Sequence, residues 1–526
     1  MNLLTEVMSS EANGSTSEKS ESVYRCGSEH PNCEGCHEQK INNSDKLLEK
    51  MAKLYANQLM NDITLVVNGV EFPAHRLILC ASSDVFQVML MNRNWSESKK
   101  EIVILQEEED CSKVFPKFLK YLYTGIIKIN HNLVLPLGLL ADKYNVRDLV
   151  TLCVEYMRKH IVSATKHNQL VSWLQYVLTS DHESIINACT DFVAWNFEAV
   201  SRRDDFFSLE TEVLIQFLKK SDLVVKDEFT LLTIITKWLE PQERRLGDVF
   251  FPSLVPLVVS YIRFPMIEPL NLAKLLTNPL IQRFKDFFFD QMSLAMIYHS
   301  EGLTPELKSK LPALSFTPRL YTTEKWSSSL FIENYDNLPI YGVRTLVFNT
   351  PSALSDRESM LRKTPNNCVF SDSGPSYEWV VEIYPKGIWF KKYHWIHWRG
   401  SLEMPEWVSK TVRLSVRQAD KCLKRRVSIG VLLSGKLDGI EYIKRVVRTH
   451  YIFTEDDKLL NIDDIIPFDD LNESAVNSAS NSWPNNGSPD GNASSAGNNS
   501  GKSGYLIGSD NNTLKIQVII TPLSDE

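Results

Sequence analysis

The amino-acid sequence predicts a multidomain α+β protein, in which an α/β domain, an all-helical domain and a C-terminal β-sandwich follow one another. Three observations support this prediction. Short strand-like and helical segments alternate up to about residue 161, helical spacing alone continues to about residue 300, and after Pro318 apolar residues alternate with polar ones. Since apolar residues recur every three or four positions in helices and every two in strands, the three stretches predict three kinds of domain.

The composition is that of a globular protein. The chain has 526 residues, of which 43% are hydrophobic and 23% are charged, and its length favours three or four domains. Its net charge of −8 argues against a general nucleic-acid or anionic-membrane surface. The longest apolar stretch, from Phe250 to Ile262, is too short to cross a bilayer and is broken by Pro252 and Pro256. We therefore expect neither nucleic acid nor membrane as a partner.

The N-terminal residues predict a disordered tail. Residues 1–43 are rich in Ser, Glu, Asn and Gly and show no apolar period. They also lack a basic start followed by an apolar stretch, so we expect no signal peptide. Of the nine cysteines, five lie among apolar residues, which suits reduced core thiols. The predicted location is cytoplasmic, with the nucleus also open.

The α/β domain is predicted over residues 44–161. A helix is predicted with Asn43 or Ser44 as its N-cap, and its apolar stripe consists of Leu47, Leu48, Met51, Leu54, Tyr55 and Leu59. The stretch from Asp62 to Phe72, with Gly69 inside it, predicts a strand, a tight turn and a second strand. Two short helices, a strand at residues 101–105 and three more helices complete the domain.

The rest of the chain divides into a helical part and a sandwich. Residues 162–300 form the helical domain, with connectors near Pro241 and Pro265, and residues 301–325 form a linker. Residues 326–526 predict the sandwich, because short alternating strands are separated by turn residues. Residues 472–503 are almost all Asn, Ser and Gly, so we expect them to be a disordered insertion between two strands.

Several motifs resemble known families. The α/β domain resembles the BTB (POZ) family in the motifs Asp62-Ile-Thr-Leu-Val-Val, Phe72-Pro-Ala-His-Arg, Tyr121-Leu-Tyr-Thr-Gly and Leu140-Ala-Asp-Lys-Tyr-Asn-Val. The helical domain is similar to BACK domains in Phe206-Phe-Ser-Leu, Ser221-Asp-Leu and Arg263-Phe-Pro. The sandwich is similar to MATH/TRAF-like domains in Trp379-Val-Val-Glu-Ile-Tyr-Pro-Lys-Gly. The chain lacks the Kelch repeats that many BTB–BACK proteins carry.

The BTB resemblance implies a homodimer. An isolated amphipathic helix of about fifteen residues is marginal in water, so its apolar stripe needs a cover. In BTB dimers the partner chain provides it, which places Leu48, Met51, Leu54 and Tyr55 in the interface. The alternative is that the helix folds back on its own domain. Asp62 and Arg76 are expected as a charged pair near this interface, with a structural role.

The same resemblance implies binding to cullin-3. Many cullin-binding BTB domains carry a hydrophobic residue, any residue and then Glu in the loop before the third strand. Here Trp95-Ser96-Glu97 lies at that place. A large exposed aromatic side chain beside a carboxylate is a reasonable anchor for a partner.

Two further clusters are candidates for binding. Interleaved aromatic and basic residues can grip a peptide or stack on nucleobases, although alternation in a strand explains them as well. Residues 389–399 form such a stretch, and its target-binding candidates are Trp389, Tyr393, Trp395 and Trp398. The cluster of Cys26, Cys33, Cys36 and His37 offers zinc or haem ligands, but a cysteine-bearing tail is the preferred interpretation. We expect no metal and no cofactor.

The function predicted from these features is that of an adaptor. The sequence has no phosphate-binding loop, nucleophile elbow or zinc-protease motif, so we expect no enzyme. The leading hypothesis is a homodimer that recruits an unknown protein target to a cullin-3 ubiquitin ligase. Two alternatives stay open, a BTB scaffold that acts without a ligase and a secreted BTB–BACK glycoprotein.

Overall fold

A computed structural model describes residues 42–179, 183–354, 370–371, 374–388, 409–419, 424–476 and 504–523. The predicted tail up to residue 41 and the predicted insertion from residue 477 lie outside this range. Two candidate clusters lie outside it as well: Trp389, Tyr393, Trp395 and Trp398, and Cys26, Cys33, Cys36 and His37.

The N-terminal domain combines a three-stranded sheet with helices. Its elements are α1 (Ser44–Asn57), β1 (Ile63–Val67), β2 (Val70–Ala74), α2 (Arg76–Ser82), α3 (Asp84–Met91), β3 (Ile102–Leu105), α4 (Glu109–Thr124), α5 (His131–Lys143) and α6 (Arg147–Ala164). The strand order is β2-β1-β3, with β2 antiparallel and β3 parallel to β1. Every second residue of β1 is buried, so the alternation in the sequence directs one face of the sheet into the core.

The turn between β1 and β2 follows from two residues. Asn68 and Gly69 both have positive φ, at 47° and 82°. A two-residue hairpin with a type I′ turn needs positive φ at both positions, and Asn-Gly adopts it most easily. The sequence therefore fixes the register of this hairpin locally.

The second domain is helical. Its elements are α7 (Leu170–Leu178), α8 (Glu183–Trp195), α9 (Phe197–Val200), α10 (Thr211–Lys219), β4 (Val224–Val225), α11 (Glu228–Val259), α12 (Pro269–Leu275), α13 (Pro279–Arg283), α14 (Lys285–Glu301) and α15 (Pro305–Lys310). The predicted connector near Pro241 is wrong, since Pro241 lies inside α11. The helix breaks instead at Gly247, whose φ of 63° is available to glycine at little cost. Pro265 does lie in a connecting turn, Phe264–Met266.

The C-terminal domain is a pair of β-sheets. Its elements, after β5 (Leu320–Tyr321), are β6 (Ser327–Ile332), β7 (Arg344–Pro351), β8 (Phe370–Ser371), β9 (Gly374–Tyr384), β10 (Arg413–Gln418), β11 (Arg425–Leu437), β12 (Ile440–Phe453), β13 (Leu459–Ile462), α16 (Phe468–Val476), β14 (Leu506–Ile507) and β15 (Thr513–Pro522). One sheet has the order β13-β10-β9-β7, with β8 beside β9. The other has the order β12-β11-β15-β14, with β6 beside β15.

The two sheets enclose a separate apolar core. Trp379, Ile383 and Val416 from one sheet are buried in the same cluster as Leu433 and Ile516 from the other. Their alternation along each strand is the pattern that predicted the sandwich. The fold class predicted from the sequence, an α/β domain, a helical domain and a C-terminal β domain, is confirmed.

The segment expected as a linker is packed. Within residues 301–325, β5 pairs in parallel with β4 of the helical domain, joining Val224 to Leu320 and Val225 to Tyr321. Arg319 is fully buried beside Glu228. The expected linker is therefore a joint between the domains. The first residues of the predicted insertion, 472–476, belong to α16, which ends at Val476.

The sandwich also contacts the helical domain through β12. The side-chain amide of Asn196 accepts from the backbone N–H of Ile443 at 2.8 Å and donates to the carbonyl of the same residue at 3.1 Å. Lys166 donates to the carbonyl of Asp438 at 2.7 Å. These contacts fix the long β11–β12 hairpin against α6 and α8.

Within the described ranges, we find no helix that combines the length and the apolar character needed to span a bilayer.

Candidate interaction surfaces of the N-terminal domain

Helix α1 lies on the domain surface with its apolar stripe incompletely covered. None of its residues is buried. Leu47 is 57% exposed and Leu48 is 48% exposed, whereas Met51 and Leu54 are half-buried. A helix that folded completely back on its own domain would bury this stripe, so α1 retains apolar surface that the described residues do not cover.

The other side of α1 rests on its own domain through Tyr55. The hydroxyl of Tyr55 donates to the carbonyl of Pro116 in α4 at 3.2 Å, and its ring centroid lies 5.3 Å from that of Tyr123. Burial raises the pKa of Tyr55. Tyr55 was expected in the dimer interface, and in the structure it contacts Pro116 and Tyr123 of its own chain.

The end of α1 is joined to the start of α2 by His75. Its Nε2 donates to the carbonyl of Leu59 at 2.7 Å, and its Nδ1 accepts from the hydroxyl of Tyr123 at 2.8 Å. The same hydroxyl accepts from the backbone N–H of His75 at 2.9 Å. Burial raises the pKa of Tyr123 to about 12, so it stays protonated and keeps this network intact.

Exposed apolar side chains flank this junction. We define the α1 face as the set of five such residues around α1 and its junction with α2, namely Leu47, Leu48, Leu59, Met60 and Leu77. Leu77 is 79% exposed although it lies in a helix beside the core. The sequence interpretation missed Met60 and Leu77, and the only available signal was that Leu77 extends the apolar run of α2 beyond one face.

Asp62 and Arg76 are adjacent but do not form the expected pair of charged side chains. A carboxylate oxygen of Asp62 accepts from the backbone N–H of Arg76 at 2.7 Å and so satisfies one of the free N–H groups in the first turn of α2. Among the described residues, the side chains of Asp62 and Arg76 form no ion pair with each other. The reason is that the guanidinium of Arg76 is directed elsewhere.

The guanidinium of Arg76 donates to three backbone carbonyls. Nη1 lies 3.3 Å from the carbonyl oxygen of Leu90 and 3.2 Å from that of Ser98, while Nη2 donates to the carbonyl of Lys100. Leu90 belongs to the last turn of α3, and the other two residues belong to the connection between α3 and β3. A planar group with several fixed donors is suited to holding several carbonyls at once.

The connection that Arg76 holds, residues 92–101, carries Trp95 and is called the Trp95 loop here. It contains a 3₁₀ turn at Ser96–Lys99, and the carbonyl of Trp95 accepts from the N–H and the hydroxyl of Ser98 at 3.2 and 2.8 Å. The N–H of Trp95 donates to the carbonyl of Asn92 at 3.0 Å. The backbone on both sides of Trp95 is therefore ordered, while its side chain is 50% exposed.

Glu97 lies in the same turn. The hydroxyl of Ser96 is the main cause that lowers the pKa of Glu97, followed by the turn's own backbone and by Lys100. The Nζ of Lys100 lies 3.4 Å from the carboxylate. Glu97 is accordingly ionised at neutral pH, next to an exposed indole.

Two apolar residues of α3, the helix that leads into the Trp95 loop, are also exposed. Val88 is 49% exposed and Met91 is 66% exposed. Neither was singled out from the sequence. The available signal was that α3 is apolar on more than one face, since a helix that buries a single face needs a polar opposite side.

Helix α7 contributes to the core. Its residues Leu170, Trp173, Leu174 and Val177 are fully buried and therefore offer no binding surface.

Comparisons with known proteins agree with this domain order. Residues 51–161 match the BTB/POZ domain model, residues 170–277 match the BACK model, described as BTB And C-terminal Kelch, and residues 316–524 match the BTBD17 TRAF domain model. BTB and BACK domains mediate protein–protein interactions and are typical of adaptors and scaffolds rather than enzymes.

Several curated relatives are similar over more than half of the chain. BTB/POZ domain-containing protein 17 of Xenopus laevis is 30% identical over 339 residues, which are 63% of this chain and 68% of the relative. The Homo sapiens protein of the same name is 29% identical over 62% of this chain and 66% of its own length. Galectin-3-binding protein of Bos taurus is 26% identical over 56% of this chain and 52% of its own length.

Proposed function

Because this chain belongs to the BTB/POZ domain-containing protein 17 family and is a BTB–BACK interaction protein, we propose that it acts as a homodimeric adaptor of a cullin-3 ubiquitin ligase. In this role it holds a protein target beside the ligase, and catalysis belongs to the ligase. The proposed location is cytoplasmic. The observation that carries the proposal is the half-exposed Trp95 on a loop held by Arg76.

The Trp95 loop has the properties of a preformed anchor. Its backbone is fixed by hydrogen bonds before any partner arrives, so binding loses less conformational entropy than ordering a mobile loop would. An exposed indole beside an ionised carboxylate provides both apolar area and direction. Val88 and Met91 of α3, the helix that leads into this loop, add exposed apolar area.

The α1 face supports the dimer half of the proposal. Covering a large aliphatic side chain contributes roughly 1.5–3 kcal/mol before ordering costs. The α1 face consists of five such side chains. A two-fold dimer uses the same face on both chains, so both copies of each side chain would be covered. A monomer would leave this surface in water.

Dimerisation would strengthen recruitment of the ligase and the target. Two chains carry two Trp95 loops, so that a second contact to the same assembly becomes intramolecular. Such bivalency raises avidity by roughly 10²–10⁴ where the geometry permits both contacts.

The proposal is tested by cullin-3 binding of the purified chain. We expect the double variant Trp95→Ala, Glu97→Lys to abolish capture of cullin-3, while light scattering still reports a dimer. Leu257→Ala, which truncates a half-exposed residue of α11, is the matched control and should bind as the wild type does. If the double variant captures cullin-3 normally, the ligase role fails and a scaffold without a ligase becomes the better explanation.

A further inference from the structure

Strand β3 forms one edge of the three-stranded sheet in the N-terminal domain, and this edge is open. The sheet order is β2-β1-β3, so β3 pairs with β1 on one side, and no described strand pairs with it on the other. Its residues are Ile-Val-Ile-Leu, without a charge or a proline that would block another strand. Proteins usually protect such an edge, because its unpaired backbone groups bind further strands. The open edge of β3 therefore has the features of a surface for strand pairing.

The backbone of β3 has unpaired hydrogen-bonding groups at this edge. The carbonyl of Glu101, the residue before β3, accepts from the N–H of Thr64 in β1 at 2.7 Å. Because backbone groups alternate in direction along a strand, the N–H and C=O groups of Ile102 and Ile104 are directed away from β1. No described residue forms a hydrogen bond with these groups. The edge thus presents two donors and two acceptors to another strand.

The side chains of the same two residues are apolar and exposed. Ile102 is 57% exposed and Ile104 is 75% exposed, whereas Val103 and Leu105 face the core. Side chains that lie opposite each other on paired strands are about 5 Å apart between their Cβ atoms, and β-branched pairs at this distance stabilise a sheet. The backbone and the side chains of β3 therefore favour the same kind of occupant, an extended apolar strand.

The charges beside β3 favour a second copy of the same strand in the antiparallel direction. Lys99 precedes β3 and Glu108 follows it, and both are exposed. Their neighbours are paired within the chain, Lys100 with Glu97 at 3.4 Å and Glu109 with Lys113 at 2.9 Å, whereas Lys99 and Glu108 form no ion pair with a described residue.

The direction of the second strand decides whether these two charges attract or repel. An antiparallel copy brings Lys99 of each chain to the end of the other chain that carries Glu108, whereas a parallel copy brings like charges together. A two-fold axis repeats the favourable contact on the other side of the pair. The antiparallel copy also keeps the isoleucines of both chains on one face of the joined sheet, because a rotation about an axis perpendicular to the sheet leaves its faces in place.

We propose that β3 pairs with β3 of a second copy of this chain, antiparallel and centred on Val103. Ile102 of each chain then lies opposite Ile104 of the other, so the unpaired N–H and C=O groups of both chains bind one another. This contact goes beyond the proposed adaptor function, since it uses neither the α1 face nor Trp95. A strand of four residues forms a small interface, so the pairing is weak and joins dimers into larger assemblies only as the concentration rises.

Sedimentation of the full chain over a series of concentrations tests the pairing. We expect the wild type to form assemblies larger than a dimer at high concentration, because the α1 face and β3 are used together. Ile104→Lys places a charge on the open edge and should weaken this further association by about tenfold or more. Ile126→Lys is the matched control, since Ile126 is 70% exposed and lies outside the helices and strands, and it should associate as the wild type does.

Two further changes test the backbone contact and the direction of the strands. Ile102→Pro removes an N–H that is directed away from β1, so the bonds to β1 remain while one donor to the second copy is lost. Lys99→Glu should weaken the association, and Lys99→Glu combined with Glu108→Lys should restore it, because opposite charges meet again in the antiparallel pair. Thermal unfolding shows which variants are folded, and these changes keep the test valid if Ile104→Lys does not fold.

The two contacts between copies are distinguished by combining their variants. Leu48→Ser, which weakens the α1 face, should leave pairs of chains that Ile104→Lys separates into single copies. The inference is overturned if folded Ile104→Lys or Ile102→Pro associates as the wild type does, or if the charge exchange does not restore what Lys99→Glu loses. It is also overturned if the wild type stops at a dimer that only Leu48→Ser dissociates. A dimer that only Ile104→Lys dissociates would support the β3 pairing and refute the α1 dimer.

Discussion

Two joints in this molecule are built in opposite ways. The joint between the helical domain and the sandwich buries charged groups and closes within one chain, whereas helix α1 rests on its domain by one side and exposes apolar groups on the other. The first joint leaves Arg319 only 1% exposed, while the second leaves Leu47 more than half exposed. The difference indicates which of the two surfaces is covered by the described residues of the chain and which one they leave exposed.

The joint between the helical domain and the sandwich depends on one carboxylate, that of Glu228. Glu228 accepts from the guanidinium of Arg319 and from the backbone N–H of Arg263, the latter at 3.2 Å. Arg319 also donates to the carbonyls of Lys220 and Tyr261 at 2.6 and 3.0 Å. Burial, and next the nearby Arg319, lowers the pKa of Arg263 to about 10, so the guanidinium of Arg263 still carries a charge at neutral pH.

The largest expected effect comes from removing that carboxylate. Glu228→Gln leaves two buried guanidinium groups without a counter-charge, which should destabilise the chain by about 3–5 kcal/mol. Urea unfolding followed by intrinsic fluorescence measures this loss as a shift of the midpoint. Glu155→Gln, which breaks an exposed pair with Lys159 in α6, is the control and should change stability by about 1 kcal/mol at most. Equal midpoints for the two variants would show that the joint does not need the pair.

A smaller effect, on association rather than folding, is expected at the α1 face. Leu48→Ser should weaken the dimer by about 2–3 kcal/mol for each chain, because the apolar area that it covers in the partner is lost. Sedimentation at a series of concentrations measures the change, and the urea midpoint of the isolated chain should hardly move. Leu257→Ser removes a leucine of similar exposure from α11 and should leave the dimer intact. Wild-type chain that sediments as one copy at micromolar concentration would contradict the comparison.

The smallest effect is expected at Arg76, whose guanidinium holds the Trp95 loop. Arg76→Lys keeps the charge but cannot hold three carbonyls with one planar group, and each lost hydrogen bond is worth about 0.5–1.5 kcal/mol. We expect faster hydrogen exchange of the amides in residues 92–101, with the amides of α1 unchanged. Cullin-3 binding should weaken by about tenfold while the dimer persists. Unchanged exchange in the loop would mean that other contacts hold it.

The elements that depend on neighbours in the chain were predictable. Helix α1 and its apolar stripe follow from helical spacing, and its N-cap is Asn43, one of the two residues that the sequence offered. The turn at Asn68 and Gly69 follows from the few residue types that tolerate positive φ at two adjacent positions. Trp95 was found because a family motif marks its place between a helix and a strand.

Contacts between distant residues were not predictable in the same way. The sequence suggested an ion pair between Asp62 and Arg76, but the guanidinium binds the carbonyls of residues 14 to 24 positions away. Every residue has a backbone carbonyl, so an arginine that binds carbonyls leaves no distinctive pattern in the sequence. The packing of the expected linker was not predictable for a related reason, because Arg319 binds Glu228, which lies 91 positions earlier in the sequence.

The sequence by itself determined the kinds of domain, their order, the amphipathic first helix and the site of the exposed indole, because spacing and turn chemistry act over a few residues. Only the tertiary structure decided that α1 keeps an uncovered apolar face, that Arg76 holds the Trp95 loop, and that β3 forms an open edge with two exposed isoleucines. Those features depend on which surfaces remain exposed after the chain has packed, and that depends on all the elements together.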